Sequence, residues 1–193
     1  IDITTPSSPS HVGLVSDDGT KRLKNPYDVA IATIGSSTYA VVTGNGDDGI
    51  EIIDISTPSS PSSVGRLADD SNKAGCDSTE VCLDGPIEVR IATIGGSTYA
   101  VVAAHPDSGV EIIDISDPTD PSSVGRITDA DDTTRELQHA NGLAIATIGS
   151  STYAVVAGHA DDGISIIDIS TPSSPGYISE LEDGTDTGVC SAA

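Results

Sequence analysis

The chain is predicted to be all-β, a β-propeller of four-stranded antiparallel blades, with about three complete blades and a partial one in its 193 residues. Three observations predict this. One phrase occurs four times, as IDITTPSSPS at Ile1, IDISTPSSPS at Ile53, IDISDPTDPS at Ile113 and IDISTPSSPG at Ile167. Its aspartates, Asp2, Asp54, Asp114 and Asp168, are spaced by 52, 60 and 54 residues, a period that marks a repeat architecture. A second phrase, IATIG(S/G)STYAVV, precedes three of the four copies, from Ile31, Ile91 and Ile145. No helical apolar period interrupts these phrases. A β-solenoid is the competing repeat fold, but its turns are usually shorter than ~50 residues.

Each element follows from its residues. The first strand of a unit (Val29 to Ile34, Val89 to Ile94, Leu143 to Ile148) is β-branched and apolar, and stops at a Gly-Ser or Gly-Gly hairpin turn. The second (Thr38 to Thr43, Thr98 to Ala103, Thr152 to Ala157) ends at Asp48-Gly49, Ser108-Gly109 and Asp162-Gly163, where glycine is expected to supply the positive φ. The third reads GIEIIDIS, GVEIIDIS and GISIIDIS, with paired isoleucines suited to burial on both faces of a sheet. A Pro-x-x-Pro loop, unable to join a ladder, separates it from a more polar fourth strand around SVGRLAD, SVGRITD and YISELED. The predicted organisation is a single repeat domain over residues 1–193. Residues 1–27 supply strands three and four of a partial blade and a connection; 28–86 form a blade with an insertion at 69–85. Residues 87–140 and 141–183 form two more, and 184–193 a tail.

The string AVVAGHADDGISIIDISTPSSP, with its relatives at Ala40 and Ala100, resembles the LVIVD repeat, a propeller-forming unit of secreted and surface proteins of bacteria and archaea. IIDIS stands at the family's "VIVDVS" position, and Tyr39, Tyr99 and Tyr153 match its strand-two tyrosine. The resemblance implies a propeller and an extracellular or cell-surface location; it brings no general catalytic apparatus.

Composition narrows the partners. The core has no Phe, Trp or Met to use, so Ile, Val, Leu, Ala and Tyr must fill it. A net charge of −22, from 30 acidic against 8 basic residues, repels nucleic-acid phosphates and anionic lipid, so neither is an expected partner. No stretch approaches the ~20 apolar residues of a membrane span. The chain lacks methionine and begins inside a third strand, which leads to the expectation of a processed chain or a piece of a longer one, with open edges that invite pairing.

Cys76 and Cys82 bracket CDSTEVC in the insertion, a spacing unlike C-x-x-C, and are expected to form a loop disulfide in an oxidising setting. Cys190 is left over for an intermolecular bond or a free thiol. Two sets of residues are candidate ligands. His105 and His159 occupy one hairpin position in successive units, each followed by a carboxylate, Asp107 and Asp161, and such pairs suit transition metals. Asp28, Glu88 and Asn141, with His139 close by, start the first strand nearest the central channel, where oxygens could hold Ca²⁺ or another divalent cation. The plainer reading of both sets is turn formation and capping of backbone amides. Asp54, Asp114 and Asp168 recur in every unit and are expected to accept hydrogen bonds from the turn that follows. Thr57, Ser59, Ser60, Thr171, Ser173 and Ser174 lie in Ser/Thr/Pro phrases of the composition that carries O-glycans. No catalytic constellation can be assembled and no cofactor is required. The expected function is a non-enzymatic structural or adhesive module of an extracellular assembly, with other copies of itself, surface proteins or glycans as partners. The alternative is a cation- or small-ligand-binding propeller.

Overall fold

The computed structural model describes residues 1–2, 4–69, 81, 83–129 and 137–182. Its strands form three four-stranded antiparallel sheets, each in sequential order, and no helix occurs among the described residues. The first blade holds β1 (Pro26–Ile34), β2 (Ser37–Gly44), β3 (Gly49–Asp54) and β4 (Ser62–Ala68). The second holds β5 (Pro86–Ile94), β6 (Ser97–Ala104), β7 (Gly109–Asp114) and β8 (Ser122–Thr128). In the third are β9 (Ala140–Ile148), β10 (Ser151–Gly158), β11 (Gly163–Asp168) and β12 (Gly176–Glu182). The register repeats blade by blade: Tyr39, Tyr99 and Tyr153 pair with Asp54, Asp114 and Asp168. Inner strands reach three residues further back than the β-branched run, with a register shift near their starts, because Pro26 and Pro86 are compatible with a strand's first position.

Alternation gives each sheet two apolar faces, and the faces join the blades. One face, here called trailing, meets the next blade; the opposite, leading face meets the one before. Ala32, Val41, Ile50 and Ile52 on the trailing face of the first blade pack with Val89, Ala100, Val102 and Ile113 on the leading face of the second. Ala92, Val101, Ala103, Val110, Ile112 and Ile127 then pack with Leu143, Ala154, Val156 and Ile167 of the third. Each Val, Leu or Ile so buried contributes roughly 1.5–3 kcal/mol. Small aliphatic side chains suit this flat contact, which accounts for a core without Phe, Trp or Met. On the outside, Gly65 and Gly125 let the fourth strand touch the next Pro loop: a Cβ there would stand 2.0 Å from Pro118 O and 2.1 Å from Pro172 O.

Two expectations are corrected. At the hairpin between the second and third strands, the positive φ belongs to Asp48 (50°), Ser108 (52°) and Asp162 (54°), not to the glycines that follow. Gly49 and Gly109 are required instead by close approach, since a Cβ would lie 2.4 Å from Leu67 O and 2.6 Å from Ile127 O. The partial blade also falls short of two strands. Among the described residues before Pro26 there is one bridge, Asp2 to Ser10, the counterpart of Asp54 to Ser62 and Asp114 to Ser122. Among the described residues no second strand lies beside it. It still holds the outer position, because a Cβ at Gly13 would meet Pro58 O at 2.3 Å, as Gly65 meets Pro118.

Candidate functional site at the channel mouth

The inner strands start at one end of the array, and their carboxylates join the blades. Asp28 on β1 accepts the Val89 N–H of the second blade (3.1 Å), and Glu88 on β5 accepts the Leu143 N–H of the third (2.6 Å). Asn141 is the third member and is exposed. The sequence had suggested that these residues cap amides of their own strand; Asp28 and Glu88 secure the strand of the following blade. Arg90 joins them, reaching Asp28 Oδ2 at 2.8 Å and pairing with Glu88 Oε1. Ala30 and Ala144 hold the equivalent places, so this guanidinium belongs to one seam alone. Sequence reading passed over Arg90, although the departure of VRIATI from VAIATI and LAIATI was a usable signal.

The hairpin rim is bonded in the same repetitive way. Asp47, Asp107 and Asp161 accept the backbone N–H of Lys24 (2.8 Å), Asp84 (2.8 Å) and Gln138 (2.6 Å), residues of the segment leading into each inner strand. Asn45, His105 and His159 donate their own N–H to the carbonyls of Asn25, Gly85 and His139. Asp48 and Ser108 cross to the next blade, accepting from Gly85 N (3.1 Å) and His139 N (3.3 Å).

The two candidate groups meet at one point. The imidazoles of His105 and His139 stack with centroids 4.1 Å apart and planes 19° off parallel, across the seam between the second and third blades. Burial holds His105 below the ordinary histidine pKa, and the nearby His139 and His159 add to the effect. Asp84 is pushed above the ordinary carboxylate range, first by burial and then by Asp48 and Asp69. Around these groups lies a cleft of about 450 Å³ lined by residues from all three blades, including Tyr27, Asn45, Asp84, His105 and Asn141. Among the described residues no three His, Cys, Asp or Glu side chains gather closely enough to hold a metal ion.

Elsewhere the repeated aspartates do what their recurrence suggested. Asp54, Asp114 and Asp168 each accept the N–H of the serine two residues on, at 2.8 Å. Those serines, Ser56, Ser116 and Ser170, accept in turn from Thr38, Thr98 and Thr152 N–H on the second strand. Glu51 and Glu111, fully buried in third strands, were missed: Glu51 takes the Arg22 N–H at 2.7 Å, and each accepts the hydroxyl of Ser63 or Ser123. Thr57, Ser59, Ser60, Thr171, Ser173 and Ser174 are exposed on hydrogen-bonded turns. Cys76, Cys82 and Cys190 lie outside the described residues.

The LVIVD repeat model matches residues 36–69, 94–129 and 149–182. The first and third matches start in the turn before a second strand, the second at Ile94 at the end of β5, and each runs through the fourth strand. No curated protein matches the chain. A functionally unknown protein from Desulfotomaculum acetoxidans shares the fold with a TM-score of 0.58 at 11% identity, over 83% of this chain and 43% of that one. A protein from Lactobacillus plantarum gives 0.56 at 14%, over 84% and 44%. An exo-β-1,3-galactanase from Phanerochaete chrysosporium gives 0.52 at 9%, over 86% and 42%. The chain thus spans less than half the length of these solved proteins, and at such identities the likeness is one of fold.

Proposed function

The chain belongs to the LVIVD repeat family, and from that membership we propose that it is a non-enzymatic structural or adhesive propeller module of an extracellular or cell-surface assembly. One observation carries the reading: the polar constellations around the blades recur from blade to blade as joints. The Asp-Ser-Thr relay is made three times, and so is the rim bond of Asp47, Asp107 and Asp161. An active site needs one constellation, whereas a scaffold needs its joint in every unit. The −22 charge and the exposed Ser/Thr-Pro turns suit a hydrated, glycosylated exterior. The galactanase that shares the fold leaves an enzyme as the contrasting reading, but 9% identity transfers no residue. Fractionation and immunolabelling of intact source cells test the proposal. The protein is expected in the envelope or medium, with glycan mass on Thr57 to Ser60 or Thr171 to Ser174; confinement to a reducing cytosol would sink it.

A second reading, a small-ligand or divalent-cation module, is favoured by the cleft that draws its wall from three blades. Glu88 and Asp28 are already engaged by backbone amides and Arg90, so a cation there competes with bonds that hold the seams. Elemental composition of the purified protein, and its melting with Ca²⁺ alone, decide this. Bound metal, or a thermal rise lost in Asp28→Asn and Glu88→Gln, supports it; neither effect removes the cation form of this reading.

A further inference from the structure

The rim joints repeat from blade to blade, but the second blade departs from the pattern where the cleft opens. Gly46 and Ala160 give their N–H to the carbonyls of Lys24 (3.0 Å) and Gln138 (3.2 Å), whereas Pro106, in the same place, has no N–H to give to Asp84. Asn25, Gly85 and His139 hold one position with φ of 48°, 54° and 55°, and of the three Gly85 alone carries no side chain. A Cβ on Gly85 would lie 2.8 Å from Pro106 Cδ and 3.2 Å from Asn45 Nδ2, so its absence opens a corner between that ring and that amide. Departures from an otherwise consistent local rule are expected at functional sites.

The polar wall of the cleft belongs to the interior of the array. Asp84, Gly85, His105 and Pro106 are on the second blade, Asn45 is on the hairpin of the first, and Asn141 is on the inner strand of the third. These groups meet across the two seams and owe nothing to either end.

The chemistry of this wall selects among ligands. It presents two side-chain amides, one imidazole and one carboxyl, with Tyr27, Ile87 and Pro106 as its apolar part. Among the described residues neither amide is engaged by a protein partner, and no Lys or Arg lines the cleft. Asp48 and Asp69 stand near Asp84, so phosphate and carboxylate ligands are repelled. A hard cation would find one lining carboxylate where it needs several oxygens. An ammonium only donates and would leave the amide N–H groups unmet, whereas a hydroxyl both donates and accepts.

We propose that the cleft binds a neutral saccharide, its hydroxyls bonded by Asn45, Asp84, His105 and Asn141 and its C–H face against Tyr27 and Ile87. The inference rests on the small-ligand reading of the cleft and names the ligand class. At about 450 Å³ the cleft falls within the roughly 300–1,000 Å³ of small-molecule sites.

The experiment is an NMR titration of the isotope-labelled full protein, read from the backbone amides of Asp84 and His105 and the side-chain amides of Asn45 and Asn141. The sugar probes are glucose, galactose, N-acetylglucosamine, lactose and cellobiose; CaCl₂, spermidine and inorganic phosphate are titrated separately. At least one sugar is expected to move these signals with a Kd on the order of 1 mM. Two variants locate the site. Gly85→Asn with Pro106→Gly installs the pair found at Asn25 and Gly46 and fills the corner, while Asn45→Ala with Asn141→Ala keeps the corner and removes the amides. Each is expected to bind the sugar at least ~10-fold more weakly, followed at Asp84 and His105. Melting curves show whether each variant folds, and the second breaks none of the rim joints. Unchanged sugar binding in either folded variant overturns the proposal. So does a response to CaCl₂, spermidine or phosphate with none to any sugar, which leaves the ligand-module reading standing. Silence from every probe sinks both.

Discussion

Asp168 shows how a single side chain joins two strands. Its carboxylate takes the Ser170 N–H, and Ser170 Oγ takes the Thr152 N–H of the neighbouring strand, so the turn is fixed before the Pro loop begins. Ser170→Ala leaves the Thr152 amide without that acceptor. It should cost about 1 kcal/mol, the net worth of an ordinary hydrogen bond, measured by urea unfolding. Hydrogen bonds from Ser170 hold Asp168 below the ordinary carboxylate pKa, and the backbone N–H of Ser56 does the same for Asp54. A carboxyl with a lowered folded pKa stabilises above its unfolded pKa, and that support disappears as pH falls through the lowered value. His105 acts at higher pH with the same sign. Its folded pKa lies below 6.5, so the unfolded chain binds the proton more readily and stability falls as pH drops below that point. Charging it also sets it against His139 and His159. His105→Asn, which installs the residue found at position 45, should flatten the stability profile between about pH 7 and pH 5. An unchanged slope in thermal melts would assign the dependence to other groups.

The elements themselves were largely legible. The strand order, the Pro loops and the Gly35-type hairpin follow from copied phrases, because turn chemistry and alternation are local properties. What was not legible depends on the third dimension. Asp48 and Ser108 take the positive φ, and the glycine that follows each is needed where the fourth strand's carbonyl comes close; Asp162 shares the φ. Spacing could not disclose that choice. The site was legible in its members and not in its contacts: Asp28, Glu88, Asn141 and His139 were picked out, but the partners of Asp28 and Glu88 sit one blade, some 55 to 62 residues, away. Glu51 and Glu111 look like surface residues in an alternating strand and prove to be buried acceptors. Seams between elements can be tested directly. At Gly125 an added Cβ would lie 2.1 Å from Pro172 O, a backbone atom that cannot step aside. Gly125→Ala should therefore destabilise by about 1–3 kcal/mol, the usual cost of overpacking, and a neutral result in denaturant unfolding would mean that the loop shifts freely.

As a whole the molecule is a short one-dimensional stack in which each blade touches only its neighbours, so stability is a sum of blade terms and seam terms. The middle blade shares in two apolar clusters and each outer blade in one. The first seam near the channel is crossed by the Asp28–Arg90 ion pair, which has no counterpart in the second among the described residues, while Glu88, paired with Arg90, bonds the Leu143 amide across the second seam. Among the described residues the trailing blade has one seam, no such ion pair, and exposed apolar side chains that include Ile148 and Leu181. Local opening follows the least supported element, and its free energy is what amide exchange reads. Protection should be highest in β6 and β7, lower in β2 and β3, and lowest in β11 and β12. Arg90→Ala should bring β1 and β2 closer to the third blade's rates, with a smaller effect on β9, because Arg90 also pairs with Glu88, the acceptor of the Leu143 N–H across the second seam. Uniform protection across all three sheets would mean that the array opens as one cooperative unit, and the seam-by-seam picture would then have to be abandoned.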